Sequence, residues 1–580
     1  MLITSEQIKN ILLSAKIATD DEIKSYIKEA KEAKKELVDY LLEKKKVTEE
    51  LLYEILAQEL KIPFINIRNK TIRKDILELV PEPIATNHSI APFEKGNKIL
   101  KLITTNPGDL QTQEFIKKKT GLDLELFLTT PSGLKEILKQ YHKGLQAEFE
   151  SITKKHKETI EGNGQDKEKL EELASDLPVL RIVDTLLEYA IFEEASDIHV
   201  EPEEKEVIIR FRIDGILRNV MTLPKKIQAG LTARIKILSN LKLDEHRLPQ
   251  DGRFKVETDQ YKISFRISVI PVYDGEKIVM RLLNEGSKLL NLEQLGLQKK
   301  DLEVLKHNIT KPHGMILVTG PTGSGKTTTL YTILGILNKP GVNITTIEDP
   351  IEYRMPRVNQ SQVNPKIGYS FASGLRAFLR QDPDIIMVGE IRDRETAEIG
   401  VNAAMTGHLV LSTLHTNDSA TALPRLQDMK IPSFLIATTV NVIVAQRLVR
   451  KICTNCIVKY KLEKKQIEDL EKQFDITTIL ASINSSNSSS EKINSLASMY
   501  FYRGKGCSQC SQQGYKGRFG IYEILEMTTE VSALVLKNAL AGEIMGKAKS
   551  QGMTTLAQDG FIKAKNGITS IEEIIRVTQE

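Results

Sequence analysis

The sequence predicts a multidomain α/β chain organised around a parallel sheet. Three patterns point there. After residue 300, short apolar strands alternate with helices, as in a parallel sheet wrapped by crossover helices. Between 197 and 283, strand follows strand, punctuated by Pro271, Asp274 and Gly275. At 320–327 a glycine-rich turn joins an apolar strand directly to a helix.

The chain has 580 residues, enough for about three to five domains. With 81 basic and 77 acidic side chains its net charge is +4, which makes no electrostatic case for a nucleic-acid binder. Hydrophobic residues make up 41 %, as in a globular rather than a disordered chain. Glu6 and Lys9 interrupt the N-terminus too early for a signal peptide. No run of about 18 apolar residues offers a membrane span. The nearest stretch, Phe434–Ala445, is short and carries two Thr and an Asn. The expectation is a cytoplasmic chain.

Residues 1–72 read as a helical module. Ser5–Lys16, Asp21–Ala33, Lys35–Glu43 and Thr48–Leu60 show apolar residues at i, i+3 and i+4. Thr48 is an N-cap followed by Glu49 and Glu50, and Lys61-Ile62-Pro63 stops the helix. Residues 73–144 mix strands (Ile99–Ile103, Leu124–Thr129) with helices (Asp109–Thr120, Pro131–Tyr141), as a second, α/β module. Residues 145–176 are nearly all polar around Glu161-Gly-Asn-Gly-Gln-Asp166 and read as a linker. Residues 177–290 form a middle α+β domain, in which helix Val179–Phe192 leads into strands Asp197–Glu201, Glu206–Ile213, Ile216–Thr222, Arg253–Glu257, Lys262–Ile270 and Lys277–Leu283. Residues 291–580 hold the parallel-sheet domain.

There, strand Met315–Thr319 runs into Gly320-Pro321-Thr322-Gly323-Ser324-Gly325-Lys326-Thr327, and a helix continues through Thr328 to Leu337. This is G-x-x-x-x-G-K-[ST] in strand–loop–helix context. Its glycines let consecutive backbone N–H groups curl around phosphate oxygens at a helix N-terminus. Lys326 is placed to reach the β- and γ-phosphates of a nucleotide such as ATP, and the Thr327 hydroxyl to ligate Mg²⁺. Hydrolysis further needs a polarised water. Strand Ile385–Gly389 ends in Glu390, at the sheet edge where open α/β folds bind ligands. That makes Glu390 the candidate for orienting or deprotonating water; the alternative is a surface pair with Arg392. Strand Asn343–Ile347 ends in Glu348-Asp349-Pro350-Ile351-Glu352, whose carboxylates repel unless a cation neutralises them. Strand Leu409–Thr413 is bracketed by His408 and His415, and His415 is placed to read the γ-phosphate.

All four cysteines lie after residue 450, as Cys453-Thr-Asn-Cys456 and Cys507-Ser-Gln-Cys510. Two C-x₂-C turns beside basic, glycine-rich turns favour one structural Zn²⁺ over redox chemistry. This element covers about 450–515. The excess length between the pairs sits in Ser482–Glu491, readable as a flexible loop.

Together the phosphate loop, the box Ile344–Tyr353, the strand box Leu379–Asp393 and the histidine box Thr406–Asp418 resemble the secretion ATPase superfamily of type II secretion and type IV pilus motors. Ala195-Ser-Asp-Ile-His-Val-Glu-Pro202 and Arg247-Leu-Pro-Gln-Asp-Gly-Arg253 match it too. The long N-terminal region and the cysteine pairs favour its pilus-extension branch over the retraction motors, with a type II secretion motor as the alternative. The resemblance implies a RecA-like P-loop ATPase core, a PAS-like middle domain and a homo-hexameric ring. The partners it implies are an inner-membrane platform protein and cytoplasmic alignment-complex proteins, so the chain would be peripheral to the inner membrane. It gives middle-domain arginines a role at the γ-phosphate, for which Arg210 and Arg253 are the candidates among Arg210, Arg212, Arg218, Arg253 and Arg266. N-terminal domains of this type bind cyclic di-GMP through a motif opening Arg-Leu-Gly. Here Glu36-Leu37-Val38 stands in its place, lacks the guanidinium, and favours a partner-docking role.

Overall fold

The computed structural model describes residues 19, 22–23, 25–26, 29, 47–68, 70–138, 140–141, 177–257, 262–284, 290–486, 493–507, 510 and 513–579. The helices expected at Ser5–Lys16 and Lys35–Glu43, the tripeptide Glu36-Leu37-Val38 and the linker 145–176 lie outside them, as does most of Asp21–Ala33. The chain divides into two compact units, Met1–Leu282 with Gly506–Gln512, and Leu283–Lys505 with Gln513–Glu580.

In the first unit, α1 (Glu49–Leu60) starts as expected. The Thr48 hydroxyl accepts from the Leu51 N–H at 3.3 Å, and Glu49 and Glu50 face the positive end of the helix dipole. Leu52, Tyr53 and Leu56 share one buried face. Strands β1 (Ile90–Lys95), β2 (Ile99–Thr104) and β3 (Asp123–Leu128) form a three-stranded sheet. Its parallel β2–β3 pair is joined by crossover helix α2 (Leu110–Thr120), capped by Asp109. Ile65 N–H donates to the Leu128 carbonyl at 2.9 Å, and the Thr129 hydroxyl to the Ile65 carbonyl at 2.9 Å. A division at residue 72 therefore cuts through this module.

Helix α3 (Leu177–Phe192), helix α4 (Gln228–Leu238) and a six-stranded sheet follow. The strands are β4 (Asp197–Pro202), β5 (Glu206–Ile213), β6 (Ile216–Pro224), β7 (Gln250–Glu257), β8 (Lys262–Val272) and β9 (Gly275–Asn284), in the order β6-β5-β4-β9-β8-β7. The small module and this domain share one hydrophobic core, in which Ile84, Leu102 and Ile116 join Val183, Leu186, Phe211 and Ile278. A buried charge crosses the same seam. His88 Nδ1 lies 2.8 Å from Asp109 of α2's cap, and His88 Nε2 lies 3.3 Å from Glu193 just past α3.

The second unit is built on a seven-stranded sheet. Its strands are β10 (Gly314–Thr319), β11 (Ile344–Glu348), β12 (Val358–Gln362), β13 (Ile385–Val388), β14 (Leu409–Leu414), β15 (Val440–Ile452) and, past the separate antiparallel pair β16 (Ile457–Tyr460) and β17 (Phe501–Gly504), β18 (Tyr515–Glu526). The order is β12-β11-β13-β14-β10-β15-β18, parallel except for antiparallel β18. Buried positions alternate between two cores. Met315 and Leu317 of β10 join one, and Ile316 and Val318 the other, so helices cover both faces. The apolar stretch Phe434–Ala445 is a short helix, Ser433–Thr439, entering β15. Ser482–Ser486, expected as loop, finishes the helix Ile476–Ser486, because Ile479 and Ile483 are buried one turn apart; the rest of that stretch, to Glu491, lies outside the described residues.

Burial works against a charge on His88, but its bonds to Asp109 and Glu193 outweigh that and raise its pKa to about 9 from 6.5. A pKa raised on folding stabilises fully below the unfolded value, and the gain is lost as pH rises through the folded one. His88→Ala should therefore cost about 3 kcal/mol near pH 6, with the gap to wild type closing above pH 9. Thermal unfolding across that range measures it; a gap independent of pH overturns the charge assignment.

Candidate functional site

The phosphate-type loop leaves β10 at the C-terminal edge of the sheet and enters α5 (Lys326–Leu337). Gly320, Gly323 and Gly325 have φ of 145°, 80° and 90°, conformations that side chains resist. A Cβ on Gly320 would also lie 2.5 Å from the Gln446 carbonyl oxygen and 2.6 Å from Ser324 Oγ. Pro321, Thr322 and Gly323 form the exposed tip, Thr327 is half-buried and Thr328 exposed. The buried Ser324 hydroxyl has no hydrogen-bond partner among the described residues. The Lys326 ammonium donates to the carbonyls of Gly320 and Pro321 at 2.8 and 3.0 Å. Burial lowers its pKa, the charge on Glu390 opposes that, and Arg447 adds to it.

Glu390 and His415 meet because β13 and β14 are neighbours in register, Val388 beside Ser412. The Thr413 hydroxyl donates to the Gly389 carbonyl at 2.8 Å, and Ile391 N–H to the Thr413 carbonyl at 3.0 Å. Glu390 accepts from Arg392 at 2.5 Å and lies 3.1 Å from His415 Nε2. The pair with Arg392 thus exists, but within a three-membered group. Strand β14 lies between β13 and β10, so His415 stands on the strand between Glu390 and the glycine loop. Thr416 ties this loop to β10: its N–H donates to Thr319 Oγ1 at 3.0 Å, and the two hydroxyls lie 2.6 Å apart.

Glu348, at the end of β11, is buried and enclosed by neutral donors rather than by a cation. It accepts from Tyr331, from Thr346 at 2.6 Å and from Gln360 at 3.2 Å. Burial nevertheless raises its pKa. Asp349 is exposed, and its charge helps hold the proton on Arg392. His408 is not part of this group. It precedes β14, at the opposite edge of the sheet, with Nδ1 2.9 Å from the Ala403 carbonyl; the register Gly314–Leu409 places it a full strand away from the loop. Arg210 and Arg253 belong to the first unit. Arg210 and Lys277 hold Glu201 at 2.6 and 2.9 Å. Burial pulls the Glu201 carboxyl up, but the bonds from Arg210, Lys277 and His199 outweigh it and hold its pKa at about 2. Arg212 pairs on the same face with Asp197 at 3.4 Å. Arg253 is exposed on β7, opposite Arg266.

The sulfurs of the four cysteines all lie within 4.8 Å of one another, with Cys453 and Cys510 buried. That is a set of four soft donors at the spacing of one tetrahedral ion. Cys453 N–H donates to the Gly514 carbonyl at 2.9 Å, and Lys505 N–H to the Cys456 carbonyl at 3.0 Å. The turns meet through bare backbone: a Cβ on Gly504 would lie 2.0 Å from the Gly514 oxygen.

Sequence reasoning missed Gln446, Arg447, Tyr331 and Gln360. Gln446 is buried on β15; its amide N–H donates to the Ser324 carbonyl, and its oxygen accepts from the Thr329 hydroxyl, both at 2.7 Å. The available signal was a Gln-Arg pair inside the apolar run Val440–Val449. Because Gly320 has both a positive φ and no room, Gly320→Ala should cost about 2–3 kcal/mol. An unfolding midpoint equal to wild type in denaturant overturns that reading of the loop.

The family described as type II/IV secretion system protein matches residues 172–576, and the MshEN domain matches residues 60–148. The type IV pilus assembly ATPase PilB of Myxococcus xanthus is 40 % identical over 90 % of this chain and 90 % of its own. The PilB of Pseudomonas aeruginosa is 38 % identical over 91 % of each. The type II secretion system protein E of Pseudomonas aeruginosa is 43 % identical over 71 % of this chain and 78 % of its own.

Proposed function

The chain belongs to the type II/IV secretion system protein family, and on that premise we propose that it is the ATPase that drives type IV pilus assembly. The observation that carries this reading is that the pilus assembly relatives match over 90 % and 91 % of the chain at 40 % and 38 % identity, above the 37 % of the Xanthomonas campestris type II secretion system protein E, which matches 91 % of it. The second reading, a type II secretion motor, is favoured by the higher identity of the secretion relative over its shorter match. Deleting the gene separates them: loss of pili supports the first, loss of secreted enzymes the second.

In the proposed mechanism the loop N–H groups beyond Pro321 and the Lys326 ammonium hold the β- and γ-phosphates of ATP. Thr327 would hold Mg²⁺, which when bound neutralises charge on the phosphates. Glu390, held by Arg392 and His415, orients a water and takes its proton as the oxygen attacks the γ-phosphorus and the bond to the bridging oxygen breaks. His415, fixed through Thr416 to Thr319, reads the γ-phosphate. Asp349 would add a carboxylate beside Arg392 that Mg²⁺ could draw on, and the buried Glu348 fixes the strand end beside it. Arg210 and Arg253 answer the charge that develops on the γ-phosphate within a hexameric ring.

The cysteine cluster takes one structural Zn²⁺. The ring works on an inner-membrane platform protein with cytoplasmic alignment-complex proteins, and the N-terminal module docks a partner, cyclic di-GMP being its alternative ligand. No helix among the described residues is long and apolar enough to cross a membrane.

Lys326→Ala should abolish nucleotide binding or turnover, and Glu390→Gln should bind ATP yet release no phosphate; wild-type phosphate release by Glu390→Gln rules out its role. Purified protein should retain about one zinc per chain, lost in Cys453→Ser. Metal analysis that finds no zinc in the intact protein removes the zinc proposal.

A further inference from the structure

Strand β15 runs beside β10 with Thr319 opposite Ala445. The next two residues of β15, Gln446 and Arg447, therefore run beside the start of the glycine loop. Their side chains point to opposite faces. Gln446 turns toward α5, where it holds Ser324 and Thr329. Arg447 turns the other way, where its Nη2 donates to Asn417 Oδ1 at 3.2 Å and to the Asn417 carbonyl at 3.4 Å. Asn417 lies two residues beyond His415, so the guanidinium is anchored to the segment that carries His415. Arg447 is only 7 % exposed. Its charge also reaches Lys326, where it helps lower the ammonium's pKa after burial does. Two like charges within reach of each other at one strand edge are unfavourable until an anion enters.

We propose that Arg447 is a nucleotide-binding residue of this site, a second cation that contacts the polyphosphate from the β15 side. The inference rests on the ATPase reading above. A guanidinium suits the task because its planar donors can bind Asn417 and a phosphate oxygen together, where an ammonium offers a point charge. The residue also links the two loops that must respond to the same phosphate, through Asn417 on one side and the backbone of Gln446 against Gly320 on the other.

The test uses the full-length protein and three variants: Arg447→Gln, Arg447→Met, which keeps the buried stem and removes the charge, and Lys326→Ala. Binding of ATP, ADP and AMP is measured by displacement of a fluorescent nucleotide, and melting midpoints are taken without nucleotide. Both Arg447 variants should lose about tenfold or more in ATP and ADP affinity. AMP affinity should stay unchanged, and the nucleotide-free midpoint of Arg447→Met should remain within about 2 °C of wild type. Wild-type ATP affinity in both variants overturns the proposal. So does a loss shared equally by AMP, or one matched by a fall in both nucleotide-free midpoints, since either marks a packing role. Wild-type protein that binds ATP no better than Lys326→Ala would instead place the fault in the ATPase reading itself.

Discussion

A loop made of glycines cannot hold its own shape. Its use is to aim bare amides at one point, and the absence of side chains that permits this removes every internal means of fixing it. In this chain the shape is imposed from next door. Gln446 grips Ser324 from β15 and Thr329 from the helix behind, while its own carbonyl fills the space a Gly320 side chain would need. The loop therefore depends on a strand more than 120 residues away in sequence, at a separation of 122 for the Ser324 bond. A buried glutamine is costly unless both ends of its amide are satisfied, and here both are.

The order of strands does the rest. With β14 placed between β10 and β13, three consecutive strand ends deliver the lysine loop, His415 and Glu390 to one edge. Hydroxyls then stitch the ends together: Thr416 to Thr319, and Thr413 to Gly389. The pattern is a parallel sheet putting its polar endings on one side, with short threonine bonds removing the slack between neighbours.

Much of this was legible in the sequence. The strand–loop–helix at 315–337, the strand ending in Glu390 and the paired cysteine turns are local patterns, and local patterns survive reading one residue at a time. What escaped depends on contacts distant in sequence. His408 and His415 flank one strand, and both were candidates; the register of β14 beside β10 leaves His408 at the far end of the sheet. The carboxylates after β11 implied a cation, whereas Tyr331 and Gln360, from a helix and an edge strand, satisfy Glu348 with neutral donors. The small N-terminal module looked independent because a polar stretch follows it, yet its apolar face continues into the core of the next domain.

The cysteine turns also change what the chain between them is free to be. They stand where β15 ends and just before β18 begins, so everything between Cys456 and Cys507 is an excursion pinched shut at its neck by Gly504 against Gly514. The entropic cost of such an excursion rises only with the logarithm of its length. The excursion also folds back on the sheet, where its Ile479, Ile483 and Phe501 share one core with Ala445 and Val449 of β15. Evolution can change the length of that appendix cheaply, but not the apolar face it lays on the strand that holds the glycine loop.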